Sequence, residues 1–336
     1  MTTTTRAMFL PLAAAILGSI SYGQTPLGQK PILKLERTIP LPAVEGRIDH
    51  LTADVDGKRV FVAALGNGTV EVVDVAHGER VGTIKGLKEP QGLFYRQQNQ
   101  TLYVATGGDG MVRVYNARTL AMVGSIGLGD DADNLRFDHQ SDSLLVGYGD
   151  GTIAFLPWDL KGKPKAEVPL PAHPESFQVS SNGSHLLVNL PHDHSIALID
   201  LARLRLDSKW THLGAESNYP MAVDRPHLRF FVACRAPAQL LELREDASAV
   251  AGRIGTVGDA DDLFFDDTHM RIYVIGGEGF VDIVDAPQNG KLKSIGHIQT
   301  ASGARTGLLV PGWNKLLVAA PHRGAEPARL LVFDVE

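Results

Sequence analysis

One pattern recurs seven times along the chain, and this recurrence limits the possible folds more sharply than any composition figure. A polar pair opens a short apolar stretch at Asp49-His50-Leu51, Pro90-Gln91-Gly92, Asp133-Asn134-Leu135, Glu175-Ser176-Phe177, Tyr219-Pro220-Met221, Asp261-Asp262-Leu263 and Arg305-Thr306-Gly307. The first members are spaced by 41, 43, 42, 44, 42 and 44 residues. A period of that length marks a repeat architecture in which each unit buries its apolar faces against its neighbours. It also resolves a difficulty of size, because 336 residues exceed what one ordinary hydrophobic core serves.

Each unit reads as four strands. The first ends in a turn rich in Asp, Asn and Gly, such as Asp54-Val55-Asp56-Gly57 or Ser181-Asn182-Gly183, as a tight hairpin requires. The second is a nearly unbroken apolar run, for example Val60-Phe61-Val62-Ala63, Leu102-Tyr103-Val104-Ala105 and Leu316-Leu317-Val318-Ala319. Such a run suits a strand covered on both faces. The third and fourth follow as Thr69-Val70-Glu71-Val72-Val73 and Val81-Gly82-Thr83-Ile84 do in the first unit. Four antiparallel strands repeated at this period describe the blades of an all-β, seven-bladed β-propeller. The seventh unit runs out after its third strand, Leu330-Leu331-Val332-Phe333, so the strand-like residues 32–40 are expected to supply its outer strand and close the ring.

Residues 1–23 are of another kind. One charge, Arg6, precedes an apolar run over residues 8–20, and Ser21-Tyr22-Gly23 supplies small residues at the −3 and −1 positions of a cleavage site. The expected organisation is a signal peptide over 1–23 and a single propeller domain over 24–336, hence a periplasmic or extracellular protein. The apolar run falls short of the roughly 20 residues a bilayer span needs, so no membrane span is expected in the mature chain. The lone Cys234 excludes an intrachain disulfide. With 32 basic against 38 acidic residues and no basic cluster, nucleic acid is not an expected partner.

The run from Arg59 to Glu79, Arg-Val-Phe-Val-Ala-Ala-Leu-Gly-Asn-Gly-Thr-Val-Glu-Val-Val-Asp-Val-Ala-His-Gly-Glu, resembles the YVTN-repeat family of exported bacterial propellers, which includes the YncE-like proteins. The nearest copy of the family's namesake run is Tyr103-Val104-Ala105-Thr106. The resemblance extends over about residues 32–336 and implies a binding module, engaging a small molecule or a protein through the rim of its channel.

In a propeller the first strands line the central channel, so the seven polar pairs should form a ring at one mouth. Asp49, Asp133, Glu175, Asp261 and Asp262 bring carboxylates to it, Asn134 an amide, His50 an imidazole and Arg305 a fixed cation. Converging carboxylates raise one another's pKa unless a cation intervenes. Asp133, Glu175 and Asp261 are therefore candidate metal ligands, for Ca²⁺ or Mg²⁺ as hard-oxygen sites, or for Zn²⁺ or Mn²⁺ with His50 added. The plainer alternative is that these residues cap backbone amides where the strands start. The loops after the second strands add His192 and His194, spaced to face one side of an extended segment, together with Arg235, His322 and Arg323. The three cations Arg235, Arg305 and Arg323, with His322, could hold a ligand carboxylate.

Two functions from different classes follow. One is ligand or protein binding at the channel mouth. The other, by analogy with propeller lactonases, is metal-assisted hydrolysis with His50, titrating near neutrality, or a carboxylate as the base. The chain lacks the G-x-S-x-G elbow, the P-loop, the dinucleotide fingerprint, H-E-x-x-H and the Cys-x-x-Cys-His haem motif, which sets those enzyme and cytochrome classes aside.

Overall fold

The computed structural model describes Met1, residues 31–247 and residues 249–336. The chain divides into two units, Met1–Pro31 and Ile32–Glu336, and the second is the propeller. The signal peptide and its cleavage after Gly23 lie outside the described residues.

Seven four-stranded antiparallel sheets make up the second unit, six of them built from strands consecutive in sequence. Blade one comprises Leu51–Asp54, Arg59–Ala64, Thr69–Asp74 and Glu79–Lys85. The exception is blade seven, whose strands Thr306–Val310, Lys315–Ala320 and Arg329–Val335 are joined by Leu33–Pro40 from the start of the domain. Leu33 lies opposite Val335 and Ile39 opposite Leu330 in that antiparallel pair. Among the described residues helix is confined to single 3₁₀ turns in the connections, and none is long and apolar enough to cross a membrane.

Burial follows position within the blade. In the second strand of blade one, Val60, Phe61, Val62, Ala63 and Ala64 are all fully buried, because neighbouring sheets cover both faces. The outer strand Ala249–Gly255 of blade five instead alternates exposed and half-buried residues, one face being solvated. Seven apolar clusters lie between successive blades, and the one joining blades seven and one, with Val60, Val62, Leu317 and Leu330, is of the same kind as the rest. Removing a ring such as Phe61 from one of these clusters costs about 3–5 kcal/mol.

Candidate functional site

The channel mouth is a polar cavity of about 330 Å³, to which every blade contributes one side chain, Asp49, Gln91, Asp133, Glu175, Tyr219, Asp261 and Arg305; in blade two the position is Gln91, one residue beyond the Pro90 that the repeat spacing marks, because Leu93 pairs with Val104 as Leu51 does with Val62. Two residues upstream, Arg47, Asp131 and His173 reach the same space. The backbone is strained at that upstream position. Glu89, Asp131, Ser217 and Asp259 hold φ of 53°, 39°, 59° and 55°, in the left-handed region.

Three acid–base pairs brace the rim. Arg47 Nη2 lies 2.8 Å from Asp49 Oδ2. Arg235 Nη2 donates to Asp261 Oδ1 at 2.6 Å, while its guanidinium stacks 3.7 Å from the centre of the Tyr219 ring. Arg305 Nη1 reaches Asp259 Oδ1 at 3.0 Å, yet its buried Nε has no hydrogen-bond partner among the described residues.

On the wall of blades three and four no arginine or lysine forms an ion pair with Asp133 or Glu175 among the described residues. Asp133, His173 and Glu175 each offer a ligand atom there, all within 4.8 Å of one another. His173 Nδ1 donates to the Gly149 carbonyl at 2.6 Å, and Nε2 lies 3.8 Å from Asp133 Oδ2. The other oxygen of Asp133 is buried without a hydrogen-bond partner among the described residues.

This crowding sets the protonation states. Burial, then the charge of Asp133, pushes Glu175 up to about 8, with His173 and His50 only partly offsetting the rise. Burial also carries Asp261 up to about 6 against the pull of Arg235. For His173 burial acts the other way, but the Asp133 carboxylate and the Gly149 carbonyl outweigh it and hold the ring at about 9.

His50 departs from its expected role. Burial alone would lower its pKa, but Asp262, with Nδ1 3.3 Å from Oδ1, and Asp49 together raise it to about 10. The carboxylates on either side favour its protonated form, which works against a role as general base. It lines both the mouth and an inner cavity of about 240 Å³, forming the partition between them. Asp262 lies on the inner side of that partition and accepts from the Gly307 amide at 2.9 Å.

The remaining expectations divide. Asn134 is buried and does not line the mouth, its backbone carbonyl accepting from the Gly147 amide. His322 pairs with Glu45 at 2.7 Å, and Arg323 sits in a short bridge to Glu326, so neither reaches the cavity with Arg235 and Arg305. His192 and His194 do not converge. Pro191–Asp193 forms a 3₁₀ turn and His194 adopts φ of 50°, so His192 lines the mouth while His194 turns toward Glu216. Asp261 is held by Arg235, and His173 takes the place beside Asp133 and Glu175 that the sequence pattern assigned to it. The signal that could have found His173 is its place two residues before Glu175, the spacing that Arg47 keeps to Asp49 and Asp131 to Asp133.

No known protein family and no curated protein matches the chain in sequence. Solved structures do match it in shape. The chain is similar to a chain in the crystal structure of the mitotic checkpoint complex, with a TM-score of 0.75, 14% identity, and 98% of this chain and 99% of that one covered. It is also similar to a chain of Kuenenia stuttgartiensis hydrazine synthase, with a TM-score of 0.73, 14% identity, and coverage of 88% and 98%. At that identity the likeness is one of fold alone, and with the seven-sheet topology it identifies the domain as a seven-bladed β-propeller.

Proposed function

We propose that the protein is an exported, YncE-like propeller that binds a small anionic molecule, such as a carboxylate or hydroxy acid, in its channel mouth. The observation carrying this reading is Arg305, which makes one carboxylate contact and leaves a buried Nε donor unpaired at a cavity of small-molecule size. A planar guanidinium so placed presents paired donors to a carboxylate. The polar lining favours a ligand rich in oxygen over an apolar one. Export rests on the character of residues 1–23, and exported protein should begin at Gln24 by mass spectrometry.

The test is a thermal-shift series with small carboxylates, hydroxy acids and neutral sugars. A carboxylate at 100 times its Kd should stabilise the protein by about 2.7 kcal/mol. Arg305→Gln should remove that gain, and equal stabilisation by neutral sugars would count against an anionic ligand.

A second reading, metal-assisted lactone hydrolysis, is favoured by Asp261, whose carboxyl at about 6 suits a general base near neutral pH better than His50 does. Chelator-sensitive lactone turnover lost in Asp261→Asn would support it.

A further inference from the structure

We infer that Asp133, His173 and Glu175 form a site for a divalent transition metal on the wall of blades three and four, with an open coordination position facing the mouth cavity. His173 and Glu175 lie two residues apart just before the strand Phe177–Val179, and Asp133 lies two residues before Leu135–Asp138, the first strand of the neighbouring blade. Their ligand atoms lie within 4.8 Å of one another. Two ligands sharing an ion at about 2.0–2.2 Å are separated by at most about 4.4 Å, so small side-chain rotations complete the site.

Three independent features point to an ion. The side chain of Asp133 is nine-tenths buried, yet Oδ1 accepts no hydrogen bond among the described residues. A buried carboxylate oxygen left in that state is costly, and a bound cation satisfies it. His173 carries the arrangement of a ligating histidine: Nδ1–H is fixed by the Gly149 carbonyl, which directs Nε2 at the carboxylates, and Asp131 Oδ2 stands 3.6 Å behind the ring. The mouth arginines, finally, are committed elsewhere, Arg47 to Asp49, Arg235 to Asp261 and Arg305 to Asp259. Among the described residues no arginine or lysine forms an ion pair with Asp133 or Glu175.

The donor set selects the metal. One imidazole and two carboxylates suit Zn²⁺, Mn²⁺ or Fe²⁺, whereas Ca²⁺ and Mg²⁺ prefer oxygen alone. The imidazole thus moves the preference away from the hard ions that the carboxylates suggest by themselves. Three protein ligands leave at least one position for water or for an oxygen of a bound molecule. That last role rests on the small-molecule reading of the mouth; the metal site itself does not.

The test uses the full chain, stripped with chelator and then titrated calorimetrically with Zn²⁺, with no organic ligand present. Co²⁺ absorption serves as a second probe of coordination. One equivalent should bind, and Asp133→Asn and His173→Gln should each weaken binding by more than the roughly 10–100-fold typical of second-shell changes. His194→Gln, outside the cavity, should leave it unchanged. Asp133→Asn is the deciding variant because it preserves side-chain volume, with circular dichroism and melting reporting its fold. If folded Asp133→Asn binds Zn²⁺ as the wild type does, or the wild type takes up no stoichiometric ion, the proposal is overturned. Metal binding without stabilisation by carboxylates would leave the metal site standing and remove the ligand reading. The converse result would do the opposite.

Discussion

The first strand of each blade runs from the channel mouth to a hairpin, and acidic residues at its two ends are held very differently. At the hairpin end, Asp54, Asp138, Asp224 and Asp266 are between 1% and 6% exposed; at the mouth, Asp49 and Asp133 are 3% and 7% exposed. Burial therefore does not separate the two groups. Partners do. Asp54 accepts from the Gly57 amide and from Arg59, Asp266 from the amides of Thr268 and His269, and Asp224 from Arg229 and His227. Each of these carboxylates closes its own turn. At the mouth Asp49 and Asp261 pair only with arginines of the rim, and Asp133 keeps an oxygen with no donor among the described residues. Capping, the plainer reading of every acidic residue in the repeat, describes the hairpin end and Asp262 well and fails at Asp133.

The largest difference should appear when an arginine is removed from each end. Arg229 is 1% exposed and ties Asp224, Glu242 and the carbonyls of Ala286 and Pro287 into one buried network. Arg229→Ala strands two carboxylates and should cost about 3–5 kcal/mol in urea unfolding. Arg305→Ala releases a single half-exposed contact and should cost no more than about 1 kcal/mol. Equal losses would erase the distinction between a structural end and a ligand-facing end.

A smaller effect belongs to His50, the one mouth group whose carboxylates are compensated as thoroughly as those of the hairpins. Its pKa in the fold, about 10, stands above the ordinary value of 6.5. A raised pKa contributes stability that is fully present below 6.5 and is lost as pH rises through 10. In metal-free buffer, melting of the wild type should fall across that window, and His50→Gln should flatten the fall. At neutral pH the variant should lose about 1.5–3 kcal/mol, the range for a hydrogen bond to a charged group. An unchanged alkaline slope would mean that His50 is neutral in the fold.

The propeller was legible because strand periodicity and repeat spacing are properties of local sequence. Val60-Phe61-Val62-Ala63 announces a doubly covered strand wherever it occurs. The ring of mouth residues was legible for the same reason, as one position of the repeat. What lay beyond reach depends on contacts that the repeat does not encode. Nothing near His50 in the chain announces Asp262, which comes from blade six and favours the protonated form of a candidate base. His192 and His194 share a spacing that only an extended backbone turns into a common face, and the 3₁₀ turn at Pro191 removes that face. His173 escaped because it lies before the strand, where the apolar pattern that locates the repeat has not begun.

The smallest effect on stability is also the sharpest test of the comparison, because it asks for opposite signs from one chemical change. Asp138 accepts from the amides of Gln140 and Ser141, at 3.1 and 3.2 Å, and from the Ser141 hydroxyl at 2.5 Å, using both oxygens. Asp138→Asn must turn an NH₂ group toward one of those donors, leaving at least one bond unmade in a buried turn. A loss of about 1–2 kcal/mol is expected. Asp133→Asn meets no amide that needs two acceptors. It removes the charge that helps hold Glu175 protonated, so Glu175 ionises more readily beside His173 and offsets the attraction lost with Asp133. Its stability in metal-free buffer should stay within about 0.5 kcal/mol of the wild type or rise above it. Urea midpoints of the two variants, measured side by side with chelator present, decide the matter. If Asp133→Asn loses as much as Asp138→Asn, the mouth carboxylate is a cap after all, and the cavity has no claim on it.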